Sequence, residues 1–245
     1  MKYLKKHVDI SNPHSTISRV RKKRCKLLLD LIHTIDNNDS IRILDVGGTL
    51  TFWETCGFVG AQNCEITLLN LNKFEIPHKY KYIKSIQGNG TDMRDYKDKE
   101  FDLVVSDSVI KHVGDYENQK KMAKEIQRVG KRYFVQTPNF FFPIEPHFLF
   151  PFFQFLPLSV KTLLLTHFSL GGRQPTKDPE KSEVSAKYTR MLKKREVKQL
   201  FPEGVILKEK LYGMTNSFIV VGGWDFNLLK STKVDTKVLK VILKF

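Results

Sequence analysis

The chain has 245 residues, 41% of them apolar, which is enough for one large α/β domain with a real core or two small ones. A formal net charge of +15 admits an anionic membrane surface, a phosphorylated substrate or nucleic acid as partner, but zinc-finger spacings and RNP-like aromatic strands are lacking, which argues against a nucleic-acid module. No apolar run approaches the roughly 20 residues of a spanning helix, the opening "MKYLKKHVDI" has no signal-peptide pattern, and three scattered cysteines (Cys25, Cys56, Cys64) predict a reducing compartment without a disulfide or zinc framework.

Residues 1–40 read as a basic helical extension. Within it, "STISRVRKKRCKLLLDLIHTI" (15–35) is amphipathic, with Ile17, Val20, Leu27, Leu28, Leu31, Ile32 and Ile35 near helical spacing and Ser15 or Thr16 as cap. Its basic run at 19–26 reads either as a solvated face or as a partner for phosphate. "IRILDV" (41–46) is a short buried strand, "EITLLNL" (65–71) a second, and "YIKSIQG" (82–88) a third. "FDLVVSDSVI" (101–110) is a fourth that runs into a helix, and "YENQKKMAKEIQRV" (116–129) is helical with Met122, Ile126 and Val129 on one face. "RYFVQTP" (132–138) is a fifth strand, stopped by Pro138.

The aromatic-rich insertion at about 139–172 holds nine of the chain's 18 phenylalanines. Phe148, Leu149, Phe152, Phe153 and Leu156 recur at spacings that a helix would gather on one side. Three readings are open for 140–165: a lid over a substrate pocket, a membrane-interface contact with nearby lysines at the headgroups, or a core or dimer surface. "KREVKQLF" (194–201) returns to helix, in a basic stretch (187–198). "VILKEKLYG" and "TNSFIVVGG" then form two strands around a turn, and residues 225–245 make a basic tail. Alternation of strands with helices predicts an α/β fold, a doubly wound, mostly parallel sheet with an antiparallel edge hairpin.

The candidate site lies where strands end. Gly47 and Gly48 follow the first strand, where an open parallel sheet binds ligands. Two readings are open, a tight turn that needs glycine or a ligand that approaches the backbone. Asn70 ends the second strand. Asn89, Gly90 and Asp92 follow the third, and Ser106 and Asp107 end the fourth. Singly, each polar residue reads as a loop cap; their succession along the strand ends favours a site.

With "ILDVGGT", "LLNL", "GNGTDM" and "FDLVVSDSVIKHV" in place, residues 41–138 resemble the class I S-adenosylmethionine-dependent methyltransferases, of Rossmann-like fold and type 11-like. "LYGMTNSFIVVGG" fits the last two strands of that family. The resemblance implies a seven-stranded sheet within a domain spanning 41–224, and S-adenosyl-L-methionine as cofactor. It implies Gly47 and Gly48 at the methionine moiety, Asp45 on its ammonium group, Asn70 on the ribose, Asn89, Gly90 and Asp92 around the adenine, and Ser106 and Asp107 near the sulfonium. Asn70 stands where an acid is usual, and Lys111 where a glutamate often precedes His112.

Methyl transfer to a hydroxyl benefits from a general base. His112 is one candidate; Glu145 and His147, in "FPIEPHF", are others. Each also reads structurally, as a helix-start histidine or as part of a proline-shaped loop. No metal is expected. The expected activity is O-methylation of a small-molecule, sugar or lipid-linked acceptor, in a cytoplasmic protein with a peripheral contact at the inner face of the membrane left open. RNA methylation is the alternative suggested by charge, although "SDSV" replaces the "NPPY"-type sequence of many base-amine methyltransferases. Asn70 and Lys111 suggest a third reading, a methyltransferase-like protein that binds without catalysis.

Overall fold

The computed structural model describes residues 16–35, 40–58, 63–144, 148, 150–170, 174–187 and 189–224. Helix α1 (Thr16–Ile32) precedes strand β1 (Ile41–Val46), helix α2 (Leu50–Thr55), β2 (Cys64–Asn70) and β3 (Ile83–Gln87). Then come β4 (Leu103–Asp107), a 3-10 turn at Ile110–His112, α3 (Tyr116–Val129) and β5 (Tyr133–Pro138). A second 3-10 turn (Phe153–Phe155), α4 (Leu158–His167), α5 (Pro179–Lys187) and α6 (Lys194–Leu200) lead to the hairpin β6 (Val205–Leu211) and β7 (Met214–Gly222).

The seven strands form one sheet in the order β3-β2-β1-β4-β5-β7-β6. Pairing is parallel from β3 to β5 and antiparallel for β5-β7 and β7-β6. Chain order reverses at β1, which pairs with β2 on one side and β4 on the other, so a crevice opens beyond the carboxyl ends of β1 and β4. Central strands are buried on both faces, as a covered parallel sheet requires: Ile43, Leu44, Leu103, Val104 and Val105 are fully buried.

Apolar side chains divide between the two faces. Leu28, Leu31 and Ile32 of α1 pack with Trp53, Phe58, Ile66 and Leu68 on one face. Met122, Ala123, Ile126 and Val129 of α3 pack with Val197 and Leu200 of α6 on the other. Helix α3 starts where Asp115 accepts a hydrogen bond from Asn118 N (2.9 Å).

Two expectations are corrected. First, no helix runs through Phe148, Phe152, Phe153 and Leu156. Pro151 and Pro157 interrupt the segment, Phe152 turns left-handed (φ 60°), and among its described residues only the short turn at Phe153–Phe155 forms before α4. Phe148 and Phe153 are buried against Leu165, Leu170 and Ala186, whereas Phe152 is exposed, so the rings do not share a side; Leu149 lies outside the described residues. Second, Cys25 and Cys56 form a disulfide, because α1 brings Cys25 to the end of α2 with the Cα atoms 4.8 Å apart; Cys64 is free and buried. Among the described residues no helix is long and apolar enough to cross a membrane, and no cluster could hold a metal ion. The basic tail at 225–245 lies outside the described residues.

Candidate functional site

A cavity of about 390 Å³ lies beyond the ends of β1, β4 and β5, with α1 and the β6-β7 hairpin forming its other walls. Four of the expected residues line it: Asp45, Gly47, Gly48 and Asp107.

Asp45 is 1% exposed. Trp53 Nε1 donates to its Oδ2 at 2.8 Å, while Oδ1 is buried without a hydrogen-bond partner. Burial pushes the carboxyl pKa up to about 8; the indole hydrogen bond opposes this and Asp107 adds to it. A buried carboxylate with one oxygen unmet is costly unless a cation or donor reaches it.

Chain packing requires both glycines. Gly47 sits at φ +76°, and a Cβ there would come within 2.5 Å of the Val109 methyls. A Cβ on Gly48 would lie 1.9 Å from Asp45 Oδ2. The turn therefore curls over the carboxylate, and the close approach that demands glycine is internal.

Asp107 pairs with Arg24 of α1, whose Nε also donates to Glu209 Oε1 at 2.9 Å. Burial works against the charge on Arg24, but Asp107 and Glu209 outweigh it and hold the guanidinium protonated well above its ordinary range. Ser217 Oγ donates to the other Glu209 oxygen, which ties the hairpin into the same cluster.

The remaining expected residues stand behind or away from the cavity. Ser106 is fully buried and its Oγ donates to Val46 O (3.2 Å), fastening β4 to β1. Asn70 braces the glycine turn, its Nδ2 donating to Gly48 O at 2.9 Å. Asn89 caps its own loop, accepting from Thr91 N and Oγ1 at 3.0 and 2.9 Å. A Cβ on Gly90 would meet Val46 Cγ1 at 2.5 Å. Asp92 is exposed and held by both arms of Arg94 (2.9 and 2.6 Å), whose hydrogen bonds keep its carboxyl below the usual range. His112 is half-buried in the 3-10 turn and does not line the cavity; Lys111 beside it does. Glu145 and His147 lie outside the described residues.

Arg21, Arg24, Lys111, Ser108 and Gln136 also line the cavity and were not anticipated as site residues. Helical spacing carried a signal for two of them, since Arg21, Arg24, Leu28 and Leu31 follow one stripe of α1. Arg21 lies over the Phe52 ring (5.7 Å), and its Nε is buried without a partner. Ser108 adopts φ +62°, rare for a residue with a side chain, and its Oγ donates to Gln136 Oε1 at 2.6 Å. Two residues of the cavity lining thus each carry a buried polar atom without a hydrogen-bond partner, an acceptor on Asp45 and a donor on Arg21.

Residues 56–133 match a family model described as a methyltransferase domain. No curated protein matches the sequence. Among solved structures, a magnesium protoporphyrin IX methyltransferase from Synechocystis PCC 6803 with bound SAH is 10% identical, with a TM-score of 0.50 and 83% of each chain covered. A SAM-dependent methyltransferase from Aquifex aeolicus is 12% identical over 90% of this chain and 96% of that one, TM-score 0.48. Another from Methanosarcina mazei is 16% identical over 78% and 95%, TM-score 0.45. At 10% identity the likeness to the Synechocystis enzyme is one of fold alone.

Proposed function

We propose that this chain, a class I Rossmann-like methyltransferase by fold and by its match over residues 56–133, binds S-adenosylmethionine in the Asp45 cavity and methylates the oxygen of a small-molecule, sugar or lipid-linked acceptor. The observation that supports it is that two residues lining one cavity each carry a buried unmet atom, Asp45 Oδ1 and Arg21 Nε. An amino-acid zwitterion satisfies both: its ammonium meets the carboxylate and its carboxylate meets the guanidinium. The methionine end of the cofactor is such a zwitterion. A peripheral site at the inner face of the membrane, in an otherwise cytoplasmic protein, belongs to the same proposal.

The cofactor supplies a methyl group already activated on sulfur. The chain's task is then position and field. Asp45, largely protonated near neutrality at a pKa of about 8, gives up its proton as a cation docks on Oδ1. Asp107, paired with Arg24, lines the same cavity. Ser108 and Gln136 add a fixed polar pair to the same wall. In-line displacement depends on alignment more than on any single group. His112, Glu145 and His147 are proposed as the groups that take the acceptor proton.

Calorimetric titration with S-adenosylhomocysteine tests the reading. Saturable binding to the wild type, weakened by Asp45→Asn and by Arg21→Gln in folded protein, is expected; equal affinity in all three would remove the basis for the site.

A further inference from the structure

The chain between β5 and α4 leaves a cluster of rings at the surface. Phe140 packs edge-on against Phe141 and Phe155 (5.2 and 5.0 Å between ring centres). Phe155 lies 6.3 Å from Phe141 and 6.3 Å from Phe152. Phe141, Phe152 and Phe155 are 61%, 58% and 45% exposed. Single exposed apolar side chains are ordinary, but neighbouring rings make a patch, and such a patch marks an interaction surface.

Backbone and amide hydrogen bonds hold the rings in place. Phe152 N donates to Pro143 O (2.6 Å) and Phe155 N to Phe152 O (3.0 Å). Gln154 Nε2 donates to the carbonyls of Phe140 (3.1 Å) and Phe142 (2.5 Å). Phe153, in the same turn, is buried with Phe148 and Leu165, so one short stretch sends one ring inward and two outward.

Cations stand beside the outer rings. Asn139 bridges to Leu192, and Phe140 N donates to Leu192 O (3.1 Å), which sets the start of α6 next to the cluster. There Lys193, Lys194 and Arg195 are all exposed. Lys193 holds its ammonium 5.3 Å from the centre of the Phe140 ring. Glu196, the acid of that turn, is taken up by Arg190 and by the backbone N–H of Lys193 (2.7 Å). The edge of the patch on this side is therefore positive.

We propose that this surface docks on an anionic lipid bilayer. Phe141, Phe152 and Phe155 enter the boundary between headgroups and acyl chains, and Lys193, Lys194 and Arg195 meet the lipid phosphates. A lysine laid over a ring suits such a boundary, since its stem covers apolar surface while its charge stays among the headgroups. Charge also selects the occupant. A second copy would bring a like-charged edge, in a chain of net charge +15, whereas an anionic membrane is complementary. The peripheral membrane contact thereby acquires a defined surface. That the membrane carries the methyl acceptor rests on the methyl-transfer reading; the docking does not, and its test needs no cofactor.

The test sediments the full chain with vesicles of equal parts phosphatidylcholine and phosphatidylglycerol, and with vesicles of phosphatidylcholine alone. Saturable binding to the mixed vesicles is expected, at least about tenfold weaker on the neutral ones. Phe141→Ser/Phe152→Ser/Phe155→Ser should weaken it at least about tenfold with the melting temperature unchanged. Lys193→Gln/Lys194→Gln/Arg195→Gln should weaken it as much. Lys22→Gln/Lys23→Gln/Lys26→Gln, an equal loss of exposed charge on α1, should weaken it far less. The emission of Phe152→Trp should shift to the blue when mixed vesicles are added, against a background of the buried Trp53 and Trp224. Absent binding, equal binding to neutral vesicles, equal losses in the two charge variants, or an unshifted Phe152→Trp emission would each overturn the proposal. So would a dimer, or binding of polyuridylate, that the ring variant abolishes, since the surface would then belong to a second copy or to RNA. If the vesicles bind as stated and S-adenosylhomocysteine does not bind, the docking stands and the methyl-transfer reading falls.

Discussion

Trp53 Nε1 donates a 2.8 Å hydrogen bond to Asp45 Oδ2, and the other oxygen of that carboxylate is buried without a partner. One residue of α2 thus orients the acid at the end of β1 and satisfies one of its two oxygens.

Asp45 gives the fold a pH dependence. Its folded pKa of about 8 lies above the unfolded value of 3.8, so the native state binds more protons between those limits. Stability then falls as pH rises from about 4 towards 8 and the penalty is fully present above that. Melting temperatures of wild type and Asp45→Asn, followed from pH 5 to pH 9, should diverge in favour of the variant as pH rises. A constant difference across the range would show that Asp45 does not titrate there.

Arg24 joins α1 to β4 and β6 through Asp107 and Glu209, with its side chain 10% exposed. Arg24→Gln leaves two carboxylates facing each other in a poorly solvated place, and breaking such a cluster costs about 3–5 kcal/mol. Urea unfolding should show that loss, and Arg24→Met combined with Asp107→Asn and Glu209→Gln should lose less. A single variant as stable as wild type would mean that the cluster opens to water.

Two glycines with similar backbone angles separate strain from crowding. Gly47 (φ +76°) faces the Val109 methyls, whereas a Cβ on Gly57 (φ +72°) would meet nothing within 4 Å. Gly57→Ala should cost about 1–2 kcal/mol, the left-handed penalty alone. Gly47→Ala should cost more, and Gly47→Val should fail to hold the turn. Equal melting temperatures for the two alanine variants would contradict the crowding at Val109.

Neighbouring phenylalanines should behave differently. Phe153 is 2% exposed and stacks on Phe148 (4.3 Å between ring centres), while Phe152 is 58% exposed. Phe153→Ser should destabilise by about 3–5 kcal/mol, as a lost core ring does. Phe152→Ser should leave the melting temperature near wild type. A large loss in the second variant would place that ring in a packed interface.

The sheet was legible because its strands announce themselves. "IRILDV" and "RYFVQTP" are apolar runs closed by Gly-Gly and Pro138, and α3 begins at a clear aspartate cap, so each lies within a residue or so of its expected bounds. The aromatic segment was not legible, since helical spacing at 148–156 competes with Pro151 and Pro157, and the prolines prevail. Asp45 was placed at the site by resemblance, but Arg21 and Arg24 were hidden in a basic run whose other members, Arg19, Lys22, Lys23 and Lys26, are exposed. Asp92 illustrates the reverse: a loop carboxylate near expected site residues is taken up by the arginine two positions on. A cysteine pair 31 residues apart gives no spacing signal, because only the packing of α1 on α2 brings the sulfurs together.

If Asp45 receives the cofactor's ammonium group, binding releases a proton. Near pH 7 a carboxyl with a pKa of about 8 is mostly protonated, so a cation docking on Oδ1 must expel that proton. S-adenosylhomocysteine titrated calorimetrically at pH 7 in two buffers of different ionisation enthalpy should release about one proton in wild type and close to none in Asp45→Asn. Binding whose heat is the same in both buffers, or wild-type affinity in Asp45→Asn, would mean that the ammonium group docks elsewhere.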